Sequence, residues 1–297
     1  NALKVAFDWK VRKNMDKGIN EKDLQIIHFK QAFHGRSGYT LSLTNTSDPR
    51  KTMYFPKFDW PRIDNPYLSF PITDIVIENV KAKEGLAISQ IKDALKSNKD
   101  KIAGLIIEPI QGEGGDNHFR SEFFQELRRL ADENEFLLIY DEVQTGIGIT
   151  GKMWAHQNFG KNTCPDIISF GKKAQVCGML AGERILEVDK NVFSESSRIN
   201  STFGGNLVDM VRFTVYLEII ESENLVSQAK ENGKYLSEGL ESLAHNHDPV
   251  SNVRNKGLFG AFDLPTTEIR DKAINLIADE GALMLGCGTK SIRFRPH

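Results

Sequence analysis

Residues Asp166 to Gly178 read DIISFGKKAQVCG, and this stretch decides how the rest of the chain is interpreted. A short apolar run ends at Gly171, and two lysines, Lys172 and Lys173, follow it directly. Neighbouring lysines usually lie in a solvated turn. At the end of a buried strand, however, an ammonium group is costly to desolvate unless it is paired or used in chemistry. The choice between the two interpretations depends on what the neighbouring strands carry.

Composition and charge exclude several classes of protein. The chain has 297 residues, enough for one large or two medium domains, and its 40% hydrophobic and 26% charged content is that of a globular protein. A net charge of -2 gives no argument for binding nucleic acid or an anionic membrane. No apolar run approaches the roughly 20 residues of a spanning helix. Three scattered cysteines, Cys164, Cys177 and Cys287, have no metal-ligand spacing, so we expect no metal site and a cytoplasmic location.

Both ends of the chain lie within predicted elements. The chain begins with NALKVAFDWK, inside a helical pattern, and it ends with SIRFRPH, where a strand begins. We therefore expect the chain to be truncated at both ends and to form the central and C-terminal part of a longer protein.

Short apolar runs alternate with amphipathic helical patterns along the first two thirds of the chain. The strand candidates are LQIIHF, AGLIIEPI, EFLLIYDEV, PDIISFG and, less clearly, MLAGERIL. The segment SEFFQELRRLADENE has its apolar residues at helical spacing, and Ser121 is placed to cap its start. Strands that are apolar throughout are typical of parallel sheets covered on both faces. The pattern predicts an α/β fold with a doubly wound, mostly parallel sheet.

The sequence pattern changes from about Asn206, where long helical patterns are followed by a segment of mixed helical and strand patterns. We predict a large domain over residues 1–217 and a smaller C-terminal α+β domain over residues 218–297. The segment from Asn45 to Phe70 is rich in Pro, Asp and aromatic residues and has no periodicity. A loop of this length in a compact domain is usually functional or disordered, and its aromatics argue against disorder. We expect it to pack over a site or at a subunit interface.

Polar residues follow four of the predicted strands. Ligands of open α/β sheets bind beyond the carboxyl ends of the strands, so these residues should converge there. They are Phe33 to Arg36, Glu108 with Gln111 to Glu113, Asp141 to Gln144, and Gly171 to Lys173. Each group alone could be a capped strand end. Together they meet the needs of pyridoxal 5′-phosphate, which requires a reactive lysine amine and a carboxylate that keeps its pyridine nitrogen protonated.

These motifs resemble the class III pyridoxal-phosphate aminotransferases. The resemblance rests on DEVQTG at Asp141 to Gly146, on the PDIISFGK that follows it, and on three further segments. Those segments are AFHGR at Ala32 to Arg36, EPIQGEGG at Glu108 to Gly115, and INSTFGGN at Ile199 to Asn206. The resemblance covers essentially the whole chain. It implies an aspartate-aminotransferase-like (fold type I) large domain with a smaller C-terminal domain.

The resemblance implies a role for each matching residue around the cofactor. Lys172 becomes the Schiff-base lysine and Lys173 a solvated or packing neighbour. Asp141 pairs with the pyridine nitrogen, and Gln144 donates to the phenolic oxygen. The ring lies between Val143 and Phe33. The remaining cofactor-binding positions are His34, Ser201 and Thr202. The family's main phosphate-binding loop belongs just before NALKVAFDWK, so the chain begins after it.

Substrate and partner roles follow from the same resemblance. Arg36 corresponds to the arginine that binds the substrate carboxylate, and Glu113 with Arg293 to a pair that gates the second substrate's carboxylate. The alternative for Arg293 is a plain strand-end charge. Thr202 matches a position that reaches the phosphate in the neighbouring subunit, which implies a homodimer. Within the class, the motifs are most like members that transfer the ε-amino group of L-lysine to 2-oxoglutarate. Ornithine or 4-aminobutyrate as donor, or a truncated non-catalytic fragment, are the alternatives.

Overall fold

Two separate sheets organise the chain, for which a computed structural model describes residues 1–296. The helices are α1 (Ala2–Asp16), α2 (Gly38–Leu43), α3 (Asp74–Ser97), α4 (Ser121–Glu133), α5 (Leu207–Ser222), α6 (Leu225–Asn246) and α7 (Thr267–Asp279). The strands are β1 (Gln25–Phe29), β2 (Arg62–Ile63), β3 (Ile102–Ile107), β4 (Leu137–Asp141), β5 (Ile167–Phe170), β6 (Gly178–Ala181), β7 (Ser251–Lys256), β8 (Phe259–Asp263), β9 (Leu285–Cys287) and β10 (Ser291–Phe294). None of the helices in this range is long and apolar enough to cross a membrane.

The first sheet has six strands in the order β2-β1-β3-β4-β5-β6. Every neighbouring pair is parallel except β5 with β6, which is antiparallel. The five predicted strand segments form β1, β3, β4, β5 and β6, so the prediction of a mostly parallel sheet is confirmed. The short β2 comes from the segment between Asn45 and Phe70, in which no strand is predicted, and it pairs with the outer side of β1.

Helices cover both faces of the central strands, which explains their continuous apolar sequence. On β4, Leu138 and Tyr140 pack in one buried cluster with Phe124 of α4. The alternate residue Ile139 packs in a second cluster with Trp9 of α1 on the opposite face. Burial of each such side chain contributes about 1.5–3 kcal/mol. The two clusters hold β4 rigidly, and β4 ends at the predicted site.

The start of α4 differs from the expectation for Ser121. Ser121 is the first residue of the helix, Arg120 occupies the N-cap position, and no side chain caps the helix there. Arg120 is fixed instead by Glu84 of α3, whose carboxylate accepts bonds of 2.9 and 2.7 Å from Nε and Nη2. The prediction that Ser121 caps α4 is therefore wrong, because a two-pronged ion pair fixes the residue in front of it.

The second sheet is antiparallel, with the order β7-β8-β10-β9, and it packs with α6 and α7. This arrangement agrees with a C-terminal α+β unit. The predicted boundary between residues 217 and 218 lies inside α5 and stays a prediction.

Arg254 of β7 ties the second sheet to the loop that follows β3. Its guanidinium is buried, with 3% of the residue exposed. It donates to the carbonyl oxygens of Gly115 and Asp116, at 2.9 Å for Asp116, and lies 3.0 Å from an Asp263 carboxylate oxygen. A buried guanidinium with this many partners is costly to remove, because the two buried carbonyl groups lose their donor and Asp263 loses its charged partner.

We expect Arg254→Met to lower the free energy of unfolding by about 3–5 kcal/mol, the usual cost of breaking a buried ion pair. The substitution keeps most of the side-chain volume but leaves the carbonyl groups of Gly115 and Asp116 without this donor and removes the guanidinium beside Asp263. Urea denaturation followed by circular dichroism measures the change. Lys256→Met, at the exposed end of the same strand, is the matched control. A loss of less than about 1 kcal/mol, the scale of surface changes, would contradict this role for Arg254.

Candidate active site

Glu108, which directly follows β3, holds two of the strand-end loops together. Its Oε1 accepts a bond of 2.9 Å from the amide of Phe33, and its Oε2 accepts one of 3.0 Å from the amide of Gly112. Burial raises the pKa of Glu108 to about 7, and the nearby charge of Asp141 acts in the same direction. The loop after β1 and the loop after β3 are thus joined at one carboxyl group.

Asp141 is the last residue of β4, and both its carboxylate oxygens are engaged. Oδ2 lies 2.8 Å from Nδ1 of His34, and Oδ1 accepts a bond of 3.1 Å from the amide of Val143. The His34 side chain is 1% exposed, yet its Nε2 has no hydrogen-bond partner among residues 1–296. The carboxylate is therefore held in one orientation by two donors, one of which is a buried imidazole.

The two lysines after β5 lie in different environments. Lys172 is exposed and adopts a left-handed backbone conformation, with φ at 50°. Lys173 is turned inward, where its Nζ donates to the carbonyl oxygen of Gln144 at 2.5 Å. Burial lowers the pKa of Lys173 to about 8, and the charge of Arg295 contributes in the same direction. Lys173 therefore fits the role of a packing neighbour, whereas the Lys172 amine makes no such bond within residues 1–296.

Val143 and Gln144 connect the end of β4 to the other strand ends. The Gln144 amide packs so closely on Gly112 that a β-carbon at Gly112 would overlap it. A β-carbon at Gly171 would lie 3.6 Å from Val143 Cγ1 and 3.1 Å from the sulfur of Cys177. Glycine at both positions therefore allows the loops after β3, β4 and β5 to approach one another, and the predicted convergence of the strand ends is observed.

A cleft of about 710 Å³ opens between the first sheet and the C-terminal elements. Polar side chains on its wall include Gln144, Lys172, Lys173, Arg293 and Arg295, and residues of α5 and α6 supply apolar parts of the wall. The exposed amine of Lys172 and the guanidinium of Arg293 therefore line one space, large enough for a small charged substrate.

Glu113 and Arg293, predicted as a pair, are neighbours. Oε2 of Glu113 lies 3.5 Å from Nη1 of Arg293. The side chain of Arg293 is only 14% exposed, yet its Nε and Nη1 make no hydrogen bond within the described residues. The amide of Gly288 donates to the backbone oxygen of Glu113 at 2.8 Å. The backbone of Glu113 is thus bound to the C-terminal sheet, and Arg293 keeps donors free for an anion.

Three predicted site residues lie apart from the side chains that meet at the strand ends. Arg36 is exposed, and its Nε donates to the carbonyl oxygen of Lys51 at 3.3 Å. Ser201 and Thr202 are exposed in the turn before α5. Of the predicted site residues, the cleft wall includes Gln144, Lys172 and Arg293, and none of these three exposed residues. Their assigned roles remain predictions.

The structure also shows contacts that the sequence does not suggest. Glu142 accepts bonds from the amides of Ala155 and His156, at 2.6 and 3.0 Å, and so fixes a turn rather than facing the cleft. Asp116, which is fully buried, binds Arg295 through two bonds of 2.9 and 2.6 Å.

Comparison with known proteins places this geometry in a family. A family model described as aminotransferase class-III matches residues 1–297. The L-lysine-epsilon aminotransferase of Amycolatopsis lactamdurans is 50% identical over 300 residues, which cover 100% of this chain and 65% of that protein. The mitochondrial 4-aminobutyrate aminotransferase of Homo sapiens is 34% identical over 315 residues, covering 100% and 61%.

A solved structure of the lysine aminotransferase from M. tuberculosis in the internal aldimine form superposes with a TM-score of 0.95. It is 50% identical, and the match covers 100% of this chain and 67% of that one. The chain thus spans 65% of the length of the curated lysine aminotransferase from Amycolatopsis lactamdurans. Because the family model matches residues 1–297, the chain belongs to the class III aminotransferase family.

Proposed function

We propose that the whole protein transfers the ε-amino group of L-lysine to 2-oxoglutarate, which gives 2-aminoadipate 6-semialdehyde and L-glutamate. The observation that carries this proposal is the pairing of Glu113 with Arg293, whose side chain lines the same cleft as Lys172. One site must accept a donor whose carboxylate is remote from the reacting amine, and then an acceptor with two carboxylates. A carboxylate–guanidinium pair that can separate serves both, because the freed arginine binds a carboxylate through two parallel bonds.

Relatives of this family use pyridoxal 5′-phosphate, and the residues at the strand ends fit it. The Asp141 carboxylate, held by His34 and the Val143 amide, is placed to keep a ring nitrogen protonated. Val143 and Phe33 would pack on the two ring faces, and Gln144 would donate to the phenolic oxygen. When bound, the cofactor supplies a reactive aldehyde carbon and a ring that accepts an electron pair.

Lys172 performs the proton transfer in this proposal. Its amine takes a proton from the ε-carbon of the bound lysine as general base and later returns one as general acid. Its place at the end of β5, on the wall of the cleft, supports the role. The α-carboxylate of the donor is assigned to Arg36, and Glu113 neutralises Arg293 while lysine reacts.

A homodimer with a cytoplasmic location is part of the same proposal, in which Thr202 reaches the cofactor phosphate of the neighbouring subunit and Ser201 is a further cofactor-binding position. Helix α5 supports a second copy of the chain as the partner, because it buries none of its residues and exposes an apolar surface that includes Leu207, Val208 and Val211. Surfaces of this kind mark interaction sites. Three free cysteines fit a reducing compartment. Sedimentation velocity on the whole protein tests the dimer.

Absorption spectroscopy of the whole protein tests the reaction. Protein mixed with pyridoxal phosphate should acquire a visible band, and L-lysine should change that band faster than ornithine or 4-aminobutyrate does. A faster change with either rival donor would assign the enzyme to that substrate. Failure to acquire the band would support the alternative of a non-catalytic protein.

We expect Glu113→Ala to slow the half-reaction with lysine and to accelerate the one with glutamate. Without Glu113, Arg293 stays available and attracts the α-carboxylate of lysine, which draws in the wrong end of the substrate. Stopped-flow absorption measures both rates. The ratio of lysine to glutamate rates should fall about tenfold, the equivalent of about 1.4 kcal/mol and within the range for partly buried ion pairs.

Glu238→Ala, an exposed change on α6, is the control for this ratio. A ratio that is the same in Glu113→Ala, Glu238→Ala and the unmodified protein would show that Glu113 and Arg293 do not act as a switch.

A further inference from the structure

Glu113 has a second cationic neighbour besides Arg293. Its Oε1 forms an ion pair with Nζ of Lys51, while its Oε2 lies 3.5 Å from Nη1 of Arg293. The contact with Lys51 is the closer of the two. Arg293 meanwhile has two buried nitrogens without partners in the described chain. The carboxylate is thus already shared between Lys51 and Arg293.

Lys51 belongs to the segment from Asn45 to Phe70 rather than to a strand end. It is the last residue of a short 3₁₀ turn, Pro49–Lys51, whose start is fixed by an Asp48 oxygen that accepts a bond of 3.1 Å from the Arg50 amide. The carbonyl oxygen of Lys51 accepts from Nε of Arg36. Lys51 therefore connects the arginine assigned to the donor's carboxylate with the glutamate that faces Arg293.

A carboxylate that leaves Arg293 needs another partner. The Glu113 side chain is only 20% exposed, so separation without a new partner would leave a poorly solvated negative charge. Lysine suits the purpose because its ammonium group is a point charge with three donors on a flexible stem, and it can follow a carboxylate as that group turns. The Lys51 side chain is 28% exposed, which keeps the pair partly screened and reversible.

We propose that Lys51 determines specificity in the half-reaction with the oxo acid. It holds Glu113 away from Arg293, so that Arg293 can bind the remote carboxylate of a dicarboxylate acceptor. This inference rests on the proposed function, in which Arg293 is the carboxylate-binding group. It assigns Lys51 to positioning Glu113 and not to contact with the substrate.

The test is the binding of glutarate, an unreactive dicarboxylate, to the whole protein loaded with pyridoxal phosphate. Isothermal titration calorimetry measures the dissociation constant. Lys51→Met should raise it about tenfold, because Glu113 then stays on Arg293 and competes with the ligand. Lys51→Arg, which keeps the charge, should restore most of the affinity. Lys57→Met, at an exposed position of the same loop, is the matched control and should bind as the unmodified protein does.

A second pair of variants separates positioning from direct contact. In a Glu113→Gln background the competing charge is gone, so adding Lys51→Met should change the dissociation constant less than twofold, by the logic of a double-mutant cycle. An equal tenfold loss in both backgrounds would mean that Lys51 binds the ligand itself, and would overturn the proposal. Thermal unfolding of each variant shows whether the fold is retained.

Arg293→Met separates a failure of the proposed function from a failure of the role of Lys51. If Arg293→Met weakens glutarate binding and Lys51→Met does not, the role of Lys51 is overturned while the proposed function stands. If Arg293→Met has no effect, the carboxylate site is elsewhere, and the role of Lys51 falls with it.

Discussion

Lys172→Ala should abolish transamination by the whole protein, with a loss of at least about 10³-fold, within the range for a catalytic acid–base group. Lys172 lies two residues after β5, has a left-handed backbone conformation and lines the cleft. The same loss should appear in both half-reactions, because each requires the proton transfer assigned to this residue. Steady-state rates with L-lysine and 2-oxoglutarate measure the effect.

Borohydride reduction followed by peptide mapping supplies an independent measurement of the same assignment. The phosphopyridoxyl label should be found on Lys172. Lys173 is the competing residue. Its pKa of about 8 leaves a larger fraction of its amine uncharged near neutral pH than an ordinary lysine has. Its Nζ is, however, bonded to the Gln144 carbonyl group, and Lys173→Ala should leave the label where it is. A label on Lys173 would contradict the assignment.

Asp141→Asn should lower the turnover number by at least about 10²-fold while the fold is retained, on the scale of losing one preorganised electrostatic partner. The amide matches the carboxylate in size and can still accept from the Val143 amide. It carries no charge, so it cannot keep a pyridine nitrogen protonated. Asp189→Asn, an exposed change, is the control, and circular dichroism checks the fold. A rate near that of the unmodified protein would exclude this role.

The sheet and the convergence of its strand ends could be predicted because both depend on local sequence. Apolar runs that end in a polar residue, such as those before Glu108 and Asp141, identify buried strands, and the geometry of a parallel sheet brings their ends together. The resemblance to a family adds the pairing of Glu113 with Arg293, which are far apart in the chain and adjacent in the structure.

Other parts of the site could not be predicted, for a physical reason. Lys51 lies in a loop without periodicity, and nothing local indicates that its ammonium group contacts Glu113, 62 residues away. Arg254 binds backbone carbonyl groups. Every residue has such a group, so the sequence does not indicate which residues are its partners. The absence of a cap at Ser121 depends in the same way on a distant partner, Glu84.

The attachment of the 113–116 loop to the C-terminal sheet constrains how the proposed switch between Glu113 and Arg293 can operate. Arg254 binds the carbonyl groups of Gly115 and Asp116, and Gly288 binds that of Glu113, on the same sheet that carries Arg293. If the C-terminal unit rotates as a rigid body, the loop and Arg293 travel together, and the spacing between the two backbones is conserved. Such a rotation would by itself not separate Glu113 from Arg293. In the proposed switch, the change of partner would then come from rotation about the side-chain bonds of Glu113, which is a local movement.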